Sequence, residues 1–124
     1  MFEIYQEHSF ASAHVLRHYD GPLGGDRLHG HNWKVAATVQ SLELDRAGLV
    51  LDFDTVIQAL KDACEPFDHR LMNDVKPFDD LSPSAERLCQ VLFEILSKRL
   101  NDARVHVKRI DVWECDGSRA SYFG

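Results

Sequence analysis

Residues 28–40 read Leu28-His29-Gly30-His31-Asn32-Trp33-Lys34-Val35-Ala36-Ala37-Thr38-Val39-Gln40. Successive side chains of an extended strand point to opposite faces, so residues two apart share a face. Trp33, Val35, Ala37 and Val39 then follow His29 and His31 on one side, and Lys34, Thr38 and Gln40 lie on the other. The two imidazoles stand side by side, with a glycine between them. Upstream, Phe10, Ser12 and His14 share a face at the end of another strand-like run, Phe2 to His14. If the two strands pair antiparallel across Val15–Leu28, His14 faces the His29/His31 pair. Three neutral imidazoles converging with one position open is a catalytic zinc arrangement. All-imidazole sites also suit copper, iron or nickel, but the next acid after His31 is Glu43, too far along for a facial-triad iron site, so zinc is the expected ion.

Working outward, the intervening stretch contains Gly21-Pro22 and Gly24-Gly25, both turn signals. Ser41 to Gly48 reads as a polar turn. Asp52 or Asp54 is placed to cap a helix over about Thr55 to Cys64, which Pro66 ends. Phe67 to Leu81 is irregular. Ser82-Pro83 reads as an N-cap followed by proline at the first helical position. The spacing of Leu88, Val91, Leu92, Ile95 and Leu96 predicts a helix packed on one face. Arg104 to Glu114 and Ser118 to Phe123 read as two more strands around the turn Asp116-Gly117. The order is ββααββ. It predicts an α+β domain spanning 1–124, an antiparallel four-stranded sheet with two helices on one face.

The composition limits the partners. The formal net charge is −6, and no basic stripe or interleaved aromatic run appears, which argues against nucleic acid. A phosphate-bearing ligand would need local help from Arg17, Arg27 or Arg70. No segment is apolar enough to span a bilayer, so no membrane partner is expected. The start Met1-Phe2-Glu3-Ile4 is unlike a signal peptide. Cys64, Cys89 and Cys115 are odd in number, with no Cys-x-x-Cys pair, so reduced thiols in a cytoplasmic protein are expected. Cys64 and Cys89 fall within helical patterns and read as small core residues. Asp68 and His69 are adjacent, and neighbouring side chains ordinarily diverge, so they do not read as a dyad. Glu114 shares a strand face with Ile110 and Val112, and an acid on an apolar face needs a partner.

Six segments in order resemble the 6-pyruvoyl-tetrahydropterin synthase / 6-carboxytetrahydropterin synthase family. They are Phe10-Ala11-Ser12-Ala13-His14, Leu28-His29-Gly30-His31-Asn32-Trp33, Gly48-Leu49-Val50-Leu51-Asp52-Phe53, Phe67-Asp68-His69-Arg70-Leu71-Met72-Asn73, Pro83-Ser84-Ala85-Glu86 and Trp113-Glu114. The resemblance implies the tunnelling fold, in which subunit sheets join into an oligomeric barrel, as trimers or dimers of trimers, with active sites at subunit interfaces. Such closure would remove the two open edges of a four-stranded sheet. It implies Zn2+ on His14, His29 and His31, proton transfer by Asp68 and His69, and a pterin substrate bound by Glu114 and Ser84.

The implied activity is a zinc-dependent lyase of the 6-carboxytetrahydropterin synthase type. Its substrate would be 7,8-dihydroneopterin triphosphate, on the route to queuosine. One position departs from the family: Gly25 stands where most members carry the cysteine base. Asp26, three residues before His29, is the nearest substitute. It resembles the Glu-x-x-His-Gly-His pattern of a branch that cleaves dihydroneopterin to 6-hydroxymethyl-dihydropterin, on the folate route. A 6-pyruvoyl-tetrahydropterin synthase-like reaction and a non-catalytic pterin- and zinc-binding protein are the other readings.

Overall fold

A computed structural model of the chain describes residues 1–21 and 25–124. The turn expected around Gly21-Pro22 and Gly24-Gly25 falls in part on 22–24, outside the described residues. Strand β1 (Phe2–His14) pairs antiparallel with β2 (His29–Ser41) along its whole length, with Phe2 opposite Ser41 and His14 opposite His29. The helix α1 (Phe53–Cys64) follows, then α2 (Ala85–Leu100), and the hairpin of β4 (Val105–Cys115) and β5 (Ser118–Phe123) closes the chain. Between the helices lies the two-residue strand β3 (Arg70–Leu71), flanked by 3-10 turns at Glu65–Phe67 and Met72–Asp74.

The sheet order is β3-β1-β2-β4-β5. The α+β architecture is the expected one, with a fifth strand added: β3 runs parallel to β1, Arg70 beside Ser12 and Leu71 beside Ala13. Two residues carry no periodicity, so no sequence pattern marks this strand. Docking against the β1 edge makes it.

Alternation is obeyed where it matters. Trp33, Val35, Ala37 and Val39 of β2 are buried against Val56 and Leu60 of α1 and Leu88, Leu92 and Leu96 of α2. Each such aliphatic side chain contributes about 1.5–3 kcal/mol of burial free energy. Helix α1 is capped by Asp52, whose carboxylate accepts from the Asp54 amide at 2.8 Å. The cap of α2 is Ser84, accepting from the Arg87 amide at 3.1 Å, rather than Ser82. Ser82 instead accepts from the Arg17 amide at 2.9 Å. Cys64 and Cys89 are buried core residues, and burial pushes both thiols up to about 12.

Two bulges interrupt β4. One shifts its register against Thr38/Val39 of β2; the other lies between Trp113 and Cys115 on the β5 side and leaves Glu114 outside the ladder. Bulges re-aim side chains next to functional sites.

Candidate metal centre and its flanking recesses

His14, His29 and His31 meet on the helix-bearing face of the sheet because β1 and β2 pair in the register that sets His14 opposite His29 and Ser12 opposite His31. Trp33 forms the floor. Its ring meets His14 and His31 edge to face at 4.9 and 5.5 Å, and its indole N–H donates to the Ser12 carbonyl at 3.1 Å. One ligand-type atom from each of His14, His29, His31 and Glu114 lies within 4.8 Å of all the others.

Outer contacts fix the rings. His14 Nδ1 is 2.7 Å from the Pro83 carbonyl, and His29 Nδ1 is 2.5 Å from the Arg27 carbonyl. A carbonyl only accepts, so both Nδ1 atoms carry the proton and both Nε2 atoms present lone pairs inward. Those two Nε2 atoms are 3.0 Å apart. His31 Nε2 is buried without a well-directed hydrogen bond, although Glu114 Oε1 lies 2.7 Å away. The same oxygen is 3.3 Å from His14 Nε2 and 3.7 Å from His29 Nε2. Lone pairs and a carboxylate oxygen crowded this closely repel, and a cation among them relieves the repulsion. Tetrahedral zinc with Zn–N near 2.0–2.1 Å would set its nitrogens about 3.3 Å apart, close to the 3.0 Å between His14 and His29 Nε2. Burial lowers the His31 pKa, and His14 and His29 add to the lowering against the opposing pull of Glu114, which favours the neutral ligand form. The residues fit a zinc ion.

Outer residues brace the His14 end. Asn73 grips the Val15 backbone twice, accepting from its N–H at 2.9 Å and donating to its carbonyl at 2.8 Å. Arg17 spends its guanidinium on the carbonyls of Phe78 at 2.8 Å and Asn73 at 3.4 Å. Neither role has a sequence signal, since both depend on where residues 72–83 pass.

Asp68 and His69 do form a pair, contrary to the divergence expected of neighbours. His69 Nδ1 is 2.9 Å from Asp68 Oδ1. The cause is the backbone: His69 has φ 57°, the left-handed conformation, which folds its ring back toward the preceding residue. Both residues clasp Ala11 of β1, whose N–H donates to Asp68 Oδ1 at 3.1 Å and whose carbonyl accepts from the His69 amide at 2.6 Å. His69 is 82 % exposed.

Asp26 lies on the Nδ1 side of His29, at 3.7 Å, the ring edge turned away from the cluster. Its Oδ2 accepts from the Leu16 amide at 2.7 Å, and that hydrogen bond holds its carboxyl below the usual range. Ser84 spends its acceptor on the α2 cap. Among the described residues, a β-carbon at Gly25 would meet only the Tyr19 carbonyl, at 3.7 Å, an ordinary van der Waals contact.

Two recesses flank the cluster. An open groove of about 530 Å³ runs along the β1 edge, lined by Ser12, Gly30, His31, Asn32, His69 and Arg70 among others. A second recess of about 420 Å³ lies at the start of α2 and the β4–β5 turn, lined by Glu86, Glu114, Ser118, Arg119, Ala120 and Ser121 among others. Glu86 lines this recess from the first turn of α2, where its charge also suits the helix dipole, so the sequence pattern does not mark it out.

An α+β sheet presenting three inward-facing imidazoles beside a carboxylate has a side-chain cluster that could hold a metal ion, with a recess on either side. A family model described as 6-pyruvoyl tetrahydropterin synthase matches residues 3–124, and the chain belongs to that family. The 6-carboxy-5,6,7,8-tetrahydropterin synthase of Synechocystis is 33% identical over 130 residues, covering 99% of this chain and 94% of the relative. That of Aquifex aeolicus is 32% identical, covering 77% and 73%. Human 6-pyruvoyl tetrahydrobiopterin synthase is 30% identical, covering 84% and 72%. Caenorhabditis elegans 6-pyruvoyl tetrahydropterin synthase has the same fold, with TM-score 0.85 at 20% identity over 99% of this chain and 95% of that one. No helix among the described residues is long and apolar enough to cross a membrane.

Proposed function

We propose that the protein is a zinc-dependent lyase of the 6-carboxytetrahydropterin synthase type acting on 7,8-dihydroneopterin triphosphate. The observation that carries this reading is the convergence of three imidazole Nε2 positions beside Glu114, in a chain whose relatives from Synechocystis and Aquifex bear that name. Zinc held by His14, His29 and His31 would polarise the side-chain hydroxyls of the pterin and acidify the adjacent bonds. Glu114 accepts the amino and ring N–H groups of the pterin, a ligand whose donors match a carboxylate. Ser84, at the helix start beside the same recess, offers its hydroxyl proton.

Proton transfer falls to His69. Asp68 accepts at Nδ1, which leaves Nε2 of His69 with a lone pair open to the groove. With Gly25 in the cysteine position, His69 or Asp26 is the base within this chain. Asp26 is the less favoured of the two, since the Leu16 amide holds its Oδ2 and it lies on the Nδ1 side of His29.

Copies of the chain join through their sheet edges. Among the described residues β3 pairs with β1 only at Ser12 and Ala13, and β5 pairs only with β4, so both rims of the sheet have unpaired backbone groups that a neighbouring subunit satisfies.

Metal analysis and turnover test the reading together. Purified protein should contain about one zinc per chain and convert 7,8-dihydroneopterin triphosphate to 6-carboxytetrahydropterin. A 6-pyruvoyl or 6-hydroxymethyl product would shift the assignment to those reactions. Zinc and pterin binding without any product would make it a binding protein.

A further inference from the structure

Asn73 ends the Phe67–Asn73 segment, and no step of the chemistry above uses it. Its place in the fold is specific. In the parallel pairing of β3 with β1, Ser12 lies beside Arg70 and Ala13 beside Leu71. Two residues further on, that register sets Val15 beside Asn73. The backbone pairing has stopped by then, because Met72–Asp74 forms a 3-10 turn. The Asn73 side chain supplies the missing rung. Its Oδ1 accepts from the Val15 N–H at 2.9 Å, and its Nδ2 donates to the Val15 carbonyl at 2.8 Å. A primary amide carries a donor and an acceptor side by side, as a peptide group does, whereas an aspartate only accepts. Val15 follows His14 directly.

We infer that Asn73 is a positioning residue of the metal centre: by holding Val15 it presets the His14 ring as a ligand. This rests on the zinc reading above and deepens it. The chain after His14 is tied at each of the next three residues. The amides of Val15, Leu16 and Arg17 donate in turn to side-chain oxygens of Asn73, Asp26 and Ser82. Asn73 and Ser82 stand near the two ends of one segment, 73–83. Arg17 spans that segment, its guanidinium donating to the Phe78 carbonyl at 2.8 Å. The segment ends at Pro83, whose carbonyl accepts from His14 Nδ1 at 2.7 Å. His14 is therefore held twice by the same stretch of chain, through its following residue by Asn73 and through its ring by Pro83. Asp26 ties in the loop that carries His29. Partners that orient a metal-bound histidine aim its lone pair before the ion arrives, and losing one costs about 10–100-fold in metal affinity. Asn73 acts from one residue away, which sets its effect at the lower end of that range.

Wild type, Asn73→Asp and Arg104→Gln test it together. Aspartate keeps the acceptor for the Val15 amide, loses the donor and sets a carboxylate against the Val15 carbonyl. Arg104 is the control for plain loss of stability. It braces the far end of the sheet, donating to the carbonyls of Glu43 and Val50 at 2.9 Å each. Zinc affinity, measured by competition with a chromophoric chelator, should fall about tenfold in Asn73→Asp and hold at the wild-type value in Arg104→Gln. Cobalt(II) in place of zinc should give a changed visible spectrum in Asn73→Asp alone. Equal zinc affinity and an identical cobalt spectrum in wild type and Asn73→Asp overturn the inference. An equal fall in Arg104→Gln also overturns it, because affinity would then merely follow stability. Should Asn73→Asp fail to fold, Arg17→Gln, which loosens the same segment from its other side, takes its place with the same outcomes. The 15N shifts of His14 in the metal-free proteins separate this inference from the zinc reading. If wild type takes up no zinc but the His14 tautomer changes in Asn73→Asp, the zinc reading fails and the positioning role stands. An unchanged tautomer in that case overturns both.

Discussion

Asp111 and Glu114 are three residues apart on β4, and they live in opposite settings. Asp111 is fully buried on the sheet face without helices, yet it is well supplied with partners: Arg109 Nε at 3.0 Å, Arg119 Nε at 3.8 Å and the Ser121 hydroxyl. Glu114, on the helix side, is one-third exposed, and its close ion-pair contacts among the described residues are all to imidazoles. A carboxylate whose charge is already answered by guanidinium groups and a hydroxyl holds structure together. A carboxylate among neutral ring nitrogens has capacity left for a ligand. The difference teaches that exposure is a poor guide to function for these acids, and that the identity of the neighbours decides.

Mutation should separate the two. Glu114→Gln should cut kcat/KM for the pterin by about a hundredfold, the worth of a charged acceptor facing ligand N–H groups, while thermal denaturation barely moves. Asp111→Ala should do the reverse: it leaves two partly exposed guanidinium groups unanswered and costs about 2 kcal/mol, below the 3–5 kcal/mol of a fully buried pair. That is a drop of about 6 °C in Tm, with zinc content retained. If Asp111→Ala abolished turnover at unchanged Tm, the contrast would collapse.

Asp26 sharpens the comparison as a third carboxylate, with a backbone amide as partner. Its pKa is depressed when folded, because the Leu16 N–H donates to the charged form. Its stabilising contribution is therefore complete above the unfolded value near 3.9 and is lost as pH falls through that value toward the folded one. Asp26→Asn should flatten the acid limb of a stability-versus-pH curve below about pH 4, read by urea denaturation. Turnover in the same variant reports on the base: retained activity assigns proton transfer to His69. The smallest effect concerns the thiols. In the folded protein only Cys115 should react with a thiol reagent at neutral pH, Cys64 and Cys89 becoming available on unfolding.

The histidine cluster was legible because it depends on two local regularities, the alternation of a strand and the pairing of two strands joined in sequence. The helices were legible from apolar spacing, although the α2 cap moved to Ser84 once Ser82 was drawn to Arg17. What could not be read were features set by docking. β3 exists because residues 68–71 lie along β1. The Asp68–His69 pair needs a left-handed histidine, which no residue pattern specifies. Asp111 looked like any strand acid, because its partners on β5 share its face only through the hairpin register.

Glu114 occupies the extra position of a bulge, so no rung of the hairpin depends on its conformation. The rungs on either side, at Trp113 and Cys115, are fixed by pairing, and Glu114 itself carries none. Evolution could therefore lengthen, shorten or swap the group at this point and alter which heterocycle is welcomed, without asking the sheet to fold differently.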